Sequence, residues 1–93
     1  MDPFCEGYCT TGNYYARGGM YVEAEHYYTT AANMIPTRLM PNYLLWRLYA
    51  TQGDTTRASE TARHALAQSL KVENGFTRAA KTEMNNYIII KPL

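Results

Sequence analysis

Apolar and polar positions along the chain repeat with the spacing of α-helices rather than with the strict alternation of strands. Residues 55–70 place five apolar side chains on one stripe, and residues 76–90 repeat the pattern. Residues 41–52 are apolar nearly all round, which predicts a central helix covered by the others. Asp54 and Asn74 precede two of these segments and are suited to cap them. The chain is therefore predicted to be all-α.

Breaks in this pattern divide the chain into segments of about 12–17 residues. The breaks fall at Gly18-Gly19, Pro36 with Pro41, Gln52-Gly53-Asp54, residues 71–75 and Pro92. Five short helices joined by tight turns indicate antiparallel helical hairpins. They are predicted to form one domain, residues 1–93, since a chain of this length is too short for two independent cores.

Five identities recur along the chain at one constant spacing. They are Tyr15 with Tyr49, Ala16 with Ala50, Gly19 with Gly53, Ala24 with Ala58, and Ala31 with Ala65. Gly19 and Gly53 each fall at the turn within a hairpin. Ala24 and Ala58 each fall where the second helix should contact the first, and a larger side chain there would push the two helices apart. The sequence thus predicts two copies of one helical hairpin.

These positions resemble the tetratricopeptide repeat (TPR), whose two helices span about 34 residues, which is the spacing of the identities. In the first copy the matching residues are Tyr8, Gly12, Tyr15, Gly19, Tyr21, Ala24, Tyr28, Ala31 and Pro36. The second copy keeps Leu45, Tyr49, Gly53, Ala58, Ala62 and Ala65. It departs from the pattern at Trp46, where a small residue is usual, and at Leu70, where proline is usual. The resemblance implies a right-handed superhelix made of two repeats, about 5–38 and about 39–70, and a capping helix, about 74–90.

Two runs resemble a narrower group. Residues 35–49 (IPTRLMPNYLLWRLY) and 70–78 (LKVENGFTR), with Lys81 and Glu83, are similar to the repeat-containing tail of O-antigen ligase/polymerase-like membrane proteins of Bacteroidetes. This resemblance implies a bacterial chain that is the soluble part of a polytopic glycan-assembly protein. Its membrane association would then run through a missing N-terminal region, and the catalytic part of that family would lie outside these residues.

Composition excludes several classes of function. Apolar residues make up 46% and charged residues 18%, which is typical of a globular protein. A net charge of +1 disfavours a nucleic-acid binder. The N-terminus lacks the pattern of a signal peptide, and no apolar run approaches the roughly 18 residues of a membrane span. The chain itself is therefore not expected to insert into a membrane.

Residues that could carry chemistry are few. They are Cys5, Cys9, Glu23, Glu25, His26 and His64. The two cysteines lie four apart, which on a helix gives poor disulfide geometry, and two thiols alone are too few for a metal site. The two glutamates are two residues apart and point to different faces of a helix, as expected of a solvated polar surface. No catalytic residue, metal site or cofactor is predicted, and the chain is not expected to be an enzyme.

The repeat resemblance implies a concave face that is lined by the first helix of each hairpin and holds partner peptides. Helical spacing places on this face Cys9, Asn13, Ala16 and Arg17 from the first repeat, and Met40, Tyr43, Arg47 and Ala50 from the second. Arg47 beside Tyr43 and Asn13 suits a carboxylate or a backbone amide. The alternative is a solvated Arg47 with a Tyr43 that merely covers the core. Leu44 stands where chaperone-binding members of the family need an asparagine, so their carboxylate clamp is not expected.

Two functions remain open on the sequence. The first is a non-catalytic protein–protein interaction or scaffolding module within an O-antigen ligase/polymerase-like membrane protein, with a protein or peptide as partner. The alternative is a free-standing small TPR protein that acts as an assembly factor or homodimer. Phe4 and Tyr8, or Ile88 to Ile90, would then provide the surface for self-association.

Overall fold

The structure, a computed structural model, describes residues 3–34, 39–68 and 75–90. These residues form five helices: α1 (Pro3–Arg17), α2 (Tyr21–Met34), α3 (Leu39–Thr51), α4 (Thr55–Gln68) and α5 (Gly75–Ile90). The prediction of an all-α fold of antiparallel hairpins is confirmed. Some positions with predicted roles lie outside the part of the chain that the structure describes. They are Pro36, Leu70, Asn74 and the side chains of Phe4 and Cys5. None of the described helices has the length and apolar character needed to cross a bilayer.

The helices pack in two layers. α1 and α2 form hairpin 1, α3 and α4 form hairpin 2, and α5 packs against α4. α3 contacts all four other helices, which confirms the predicted central helix. Within the described residues, α1 and α5 each contact α3 but not each other. These three helices form one layer with α3 in the middle, and α2 and α4 form the other.

α3 begins two residues before the segment expected from the sequence. Pro41, predicted as a break, lies inside its first turn and is fully buried. The first turn of a helix tolerates proline because its N–H groups have no partner within the helix. Pro41 therefore contributes apolar volume to the core without costing a hydrogen bond of the helix.

The turns within the two hairpins have the same geometry. Gly19 and Gly53 both have a φ of 79°, in the left-handed region that glycine adopts without strain. Each glycine amide donates to the carbonyl three residues back at 3.1 Å. The following amide donates to the carbonyl five residues before it, at 2.9 Å after Gly19 and 3.0 Å after Gly53. This is the Schellman ending of a helix, and it recurs at equivalent positions of the two hairpins.

Small residues set the spacing of the helices within each hairpin. Ala24 and Ala58 are fully buried at the predicted contact positions. Asp54 caps α4 as predicted, since its Oδ1 accepts from the Arg57 amide at 3.1 Å. The residue types at these positions were therefore enough to predict the helix contacts and the cap.

The two hairpins exchange a small and a large residue across the same contact. In hairpin 1, a Cβ added to Gly12 would lie only 2.5 Å from Cε1 of Tyr28, whose side chain is 2% exposed. In hairpin 2, Trp46 stands at the position equivalent to Gly12 and Ala62 at the position equivalent to Tyr28, and both are buried. Hairpin 2 thus places its large residue on α3 and its small residue on α4, the reverse of the arrangement in hairpin 1.

A polar cluster joins α2, α3 and α4. The Tyr49 hydroxyl donates to Oε2 of Glu25 at 2.6 Å, and Nη1 of Arg57 lies 3.3 Å from the same oxygen. The expectation that Glu25 belongs to a solvated surface is therefore wrong, because it is half-buried and holds two partners. Glu23 and His26 are exposed, as expected.

We predict that alkaline titration of Tyr49 destabilises the fold. Burial and the hydrogen bond to Glu25 raise the pKa of Tyr49 from 10.0 to about 12. The folded state holds this proton more tightly than the unfolded chain. Its contribution to stability is therefore complete below pH 10 and is lost as the pH rises through about 12. Melting temperatures followed by circular dichroism should fall less steeply over this range for Tyr49→Phe than for the wild type. The exposed-site control Tyr14→Phe should keep the wild-type slope.

Candidate functional site

A groove of about 230 Å³ lies between α1 and α3 on the layer that they share. Its lining residues are Asn13, Ala16 and Arg17 from α1, Tyr21 and Tyr28 from α2, and Leu44, Arg47, Leu48 and Thr51 from α3. The two leucines among them are buried, whereas the two arginines are exposed. A groove of this kind can hold an extended segment or a side chain of a partner.

The charge of the groove is positive. Arg17 and Arg47 are both exposed, and none of the lining residues is acidic. The Asn13 side chain uses its Oδ1 to accept from the Tyr28 hydroxyl, so its amide nitrogen is the end left to meet a ligand. Two guanidinium groups and an amide donor suit a carboxylate, because planar guanidinium groups form paired hydrogen bonds with it.

The Tyr28 hydroxyl responds to both guanidinium groups. Burial raises the pKa of Tyr28 above 10.0, and the positive charges of Arg47 and Arg17 lower it by a smaller amount. Arg17 and Arg47 lie on different helices, yet both act on this one hydroxyl. Their fields therefore overlap inside the groove, where an anionic ligand would experience both.

The structure brings together part of the predicted binding face. Asn13, Arg17 and Arg47 line the groove, together with Ala16. Cys9 does not, since its side chain is only 6% exposed and lies within the core. The expectation that Cys9 is reachable by a partner is wrong, because α1 turns this side chain inward against the apolar core.

Two further predicted residues, Met40 and Tyr43, lie outside the groove. Met40 is 41% exposed in the first turn of α3. The Tyr43 hydroxyl donates to Oε1 of Glu83 on α5 at 2.8 Å, and its ring packs edge-on against Phe76 at 5.5 Å. Arg47 lies 5.7 Å from the Tyr43 ring centroid, so the predicted proximity of these two residues is confirmed. Tyr43 therefore connects α3 to α5, and its ring lies against the guanidinium group of Arg47.

Sequence reasoning missed the residues that α2 contributes to the groove. Tyr28 reaches the groove because Gly12 has no side chain in its path, so the ring passes over α1 and its hydroxyl meets Asn13. The pairing of a glycine with a large aromatic residue was the available signal. The sequence held no comparable indication for Tyr21. This residue follows the turn at Gly19 and comes to line the groove only when the hairpin has folded.

Among the side chains that the structure describes, no group of three or more histidine, cysteine, aspartate or glutamate residues is arranged to hold a metal ion. The two arginines and the Asn13 amide that line the groove are suited to an anionic or hydrogen-bonding segment. Comparison of the sequence with protein-family models and with curated proteins finds no significant match.

Proposed function

We propose that this chain is a non-catalytic protein–protein interaction module that holds an acidic peptide segment in the groove between α1 and α3. The observation that carries the proposal is the convergence of Arg17, Arg47 and Asn13 on one groove without an acidic neighbour among its lining residues. A carboxylate of the partner would meet the guanidinium groups, and its apolar side chains would lie on Leu44 and Leu48.

We further propose that the chain is a TPR domain and the soluble part of an O-antigen ligase/polymerase-like membrane protein. Support for the repeat comes from the Schellman turns at Gly19 and Gly53, which stand one repeat length apart in the sequence. The narrower assignment rests on residues 35–49 and 70–78. In that setting the groove would scaffold partners in glycan assembly.

Arg47→Ala and Arg17→Ala are each expected to weaken binding of an acidic peptide about fivefold to tenfold, because each removes one charge-assisted hydrogen bond from a partly exposed site. The measurement is fluorescence polarisation with a labelled peptide rich in aspartate and leucine and ending in a free carboxylate. Binding should also weaken as salt is raised.

Arg63→Ala is the matched control, because Arg63 is an exposed arginine on α4 that does not line the groove. It should leave the affinity unchanged, and circular dichroism should show that all three variants remain folded. If Arg63→Ala and Arg47→Ala lose the same affinity for the peptide, then the peptide binds to general surface charge. That result would contradict binding in the proposed groove.

The alternative function, self-assembly, is favoured by one observation. Ile89 and Ile90 in the last turn of α5 are 68% and 73% exposed. If this surface joins two copies, light scattering should give the mass of a dimer, and Ile89→Asp should give the mass of one chain. A single-chain mass for the wild type at high concentration would remove this candidate.

A further inference from the structure

A second cleft, of about 340 Å³, opens between α2 and α4 with α3 as its floor. It shares no lining residue with the groove between α1 and α3. Its principal lining residues are Thr29 and Asn33 from α2, Asn42 and Tyr49 from α3, and Thr61 and His64 from α4. The cleft therefore lies between the two hairpins, and binding in it does not depend on the function proposed for the groove between α1 and α3.

In hairpin 1, tyrosine rings occupy the positions that correspond to the lining of this cleft. Tyr15 and Tyr27 stack with ring centroids 5.4 Å apart and planes 9° apart. Tyr8 lies against the same Tyr27 ring at 5.9 Å. One stacked pair and a third, tilted ring thus form a continuous aromatic group across α1 and α2.

Hairpin 2 keeps one ring of that aromatic group and lacks the other two. At the equivalent positions of hairpin 2, Tyr15 is matched by Tyr49, but Tyr27 is replaced by Thr61, and the third ring by Asn42. Asn42, Tyr49 and Thr61 all line the cleft. The same backbone arrangement therefore carries small polar side chains where hairpin 1 carries two phenol rings, which leaves the space of the cleft open.

The remaining ring is held in place. The Tyr49 hydroxyl donates to Glu25 at 2.6 Å, which fixes the orientation of the ring. Arg57 lies 5.7 Å from the ring centroid but does not line the cleft. Asn42 is 4% exposed and lines the cleft, so its amide is a polar group that a ligand in the cleft would meet.

We propose that this cleft binds a phenol ring, presented as a tyrosine side chain of a partner protein. The ring would stack on Tyr49 as Tyr27 stacks on Tyr15, and its hydroxyl would bond to the amides and hydroxyls around it. Glu60 and His64 on α4 are the titratable residues besides Tyr49 among those lining the cleft, so the cleft lacks the paired arginines that would select an anion.

The test uses p-cresol, the free tyrosine side chain, added to the full chain labelled with ¹⁵N. Chemical-shift changes should centre on the side-chain amides of Asn42 and Asn33. Cyclohexanol has a similar size and a hydroxyl but no aromatic face, so it should bind about fivefold more weakly. Shift changes confined to other parts of the chain, or equal affinities for p-cresol and cyclohexanol, would overturn the proposal.

Thr61→Tyr provides the complementary test, because it restores the ring that hairpin 1 carries at Tyr27. It should abolish the p-cresol response and raise the melting temperature, since the new ring would stack on Tyr49. Thr56→Tyr places the same side chain on the exposed surface of α4 and should leave the p-cresol affinity unchanged. A folded Thr61→Tyr that still binds p-cresol with wild-type affinity would contradict the cleft as the binding site.

Discussion

Gly12→Trp should destabilise the protein by about 3 kcal/mol or more, and Tyr28→Ala should cost less in that variant than it costs in the wild type. A Cβ at position 12 would already lie 2.5 Å from the Tyr28 ring, which is 2% exposed and bonded through its hydroxyl to Asn13, so the ring cannot move aside cheaply. The double variant recreates the pairing of Trp46 with Ala62 in hairpin 2.

Chemical denaturation of the two single variants and the double variant measures this coupling. Tyr28→Ala alone should cost about 3–5 kcal/mol, as truncation of a buried aromatic residue does. If the two positions exchange volume, the double variant should be more stable than the sum of the single losses predicts, by about 1–3 kcal/mol. If the stability losses of the two single variants simply add in the double variant, then positions 12 and 28 do not exchange volume. The hairpins would then differ at these positions for another reason.

The sequence was sufficient to predict the parts of the fold that depend on backbone conformation. Gly19 and Gly53 indicate their turns because only glycine adopts a positive φ without strain. Ala24 and Ala58 indicate the helix contacts because a larger side chain has no room there. Such constraints act locally, so they are visible in the residue type itself.

The parts of the candidate site that depend on side-chain direction could not be predicted with the same accuracy. Cys9 and Tyr43 share the helical register of Asn13 and Arg47, yet Cys9 is buried in the core and Tyr43 turns toward α5. A helical face covers a wide arc, and the neighbouring helix decides which part of it remains open. That neighbour is known only after the hairpins have packed.

The two hairpins also show how one backbone carries different cavities. Hairpin 1 places two of its aromatic residues in a stack, with Tyr15 and Tyr27 only 5.4 Å apart, and hairpin 2 leaves a cleft at the corresponding place. Conversely, hairpin 2 places Trp46 where hairpin 1 has no side chain at all. Identical turn geometry therefore fixes the path of the chain, and the exchange of large and small residues decides where a ligand can enter.

Trp46 connects this exchange to the last helix. Its ring is 5% exposed and packs edge-on against Tyr87 of α5, with the centroids 5.5 Å apart and the planes at 84°. It also lies 5.5 Å from the ring of Tyr43, which bonds to α5 through Glu83. Among the buried polar side-chain atoms of the described residues, its Nε1 is the one without a hydrogen-bond partner. Trp46 thus stabilises α5 by packing and not by its N–H group.

Trp46→Ala is expected to cost about 3–5 kcal/mol, a large part of the stability of a domain of this size. The loss should concentrate in α5, so hydrogen exchange should show α5 amides losing protection before those of α2. Trp46→Phe should lose less than half as much, because it keeps an aromatic ring and removes the unpaired donor. Arg78→Ala, at an exposed position of α5, should stay within about 0.5 kcal/mol of the wild type. If Trp46→Phe is as damaging as Trp46→Ala, the indole N–H has a partner that stabilises the fold, and packing alone does not attach α5.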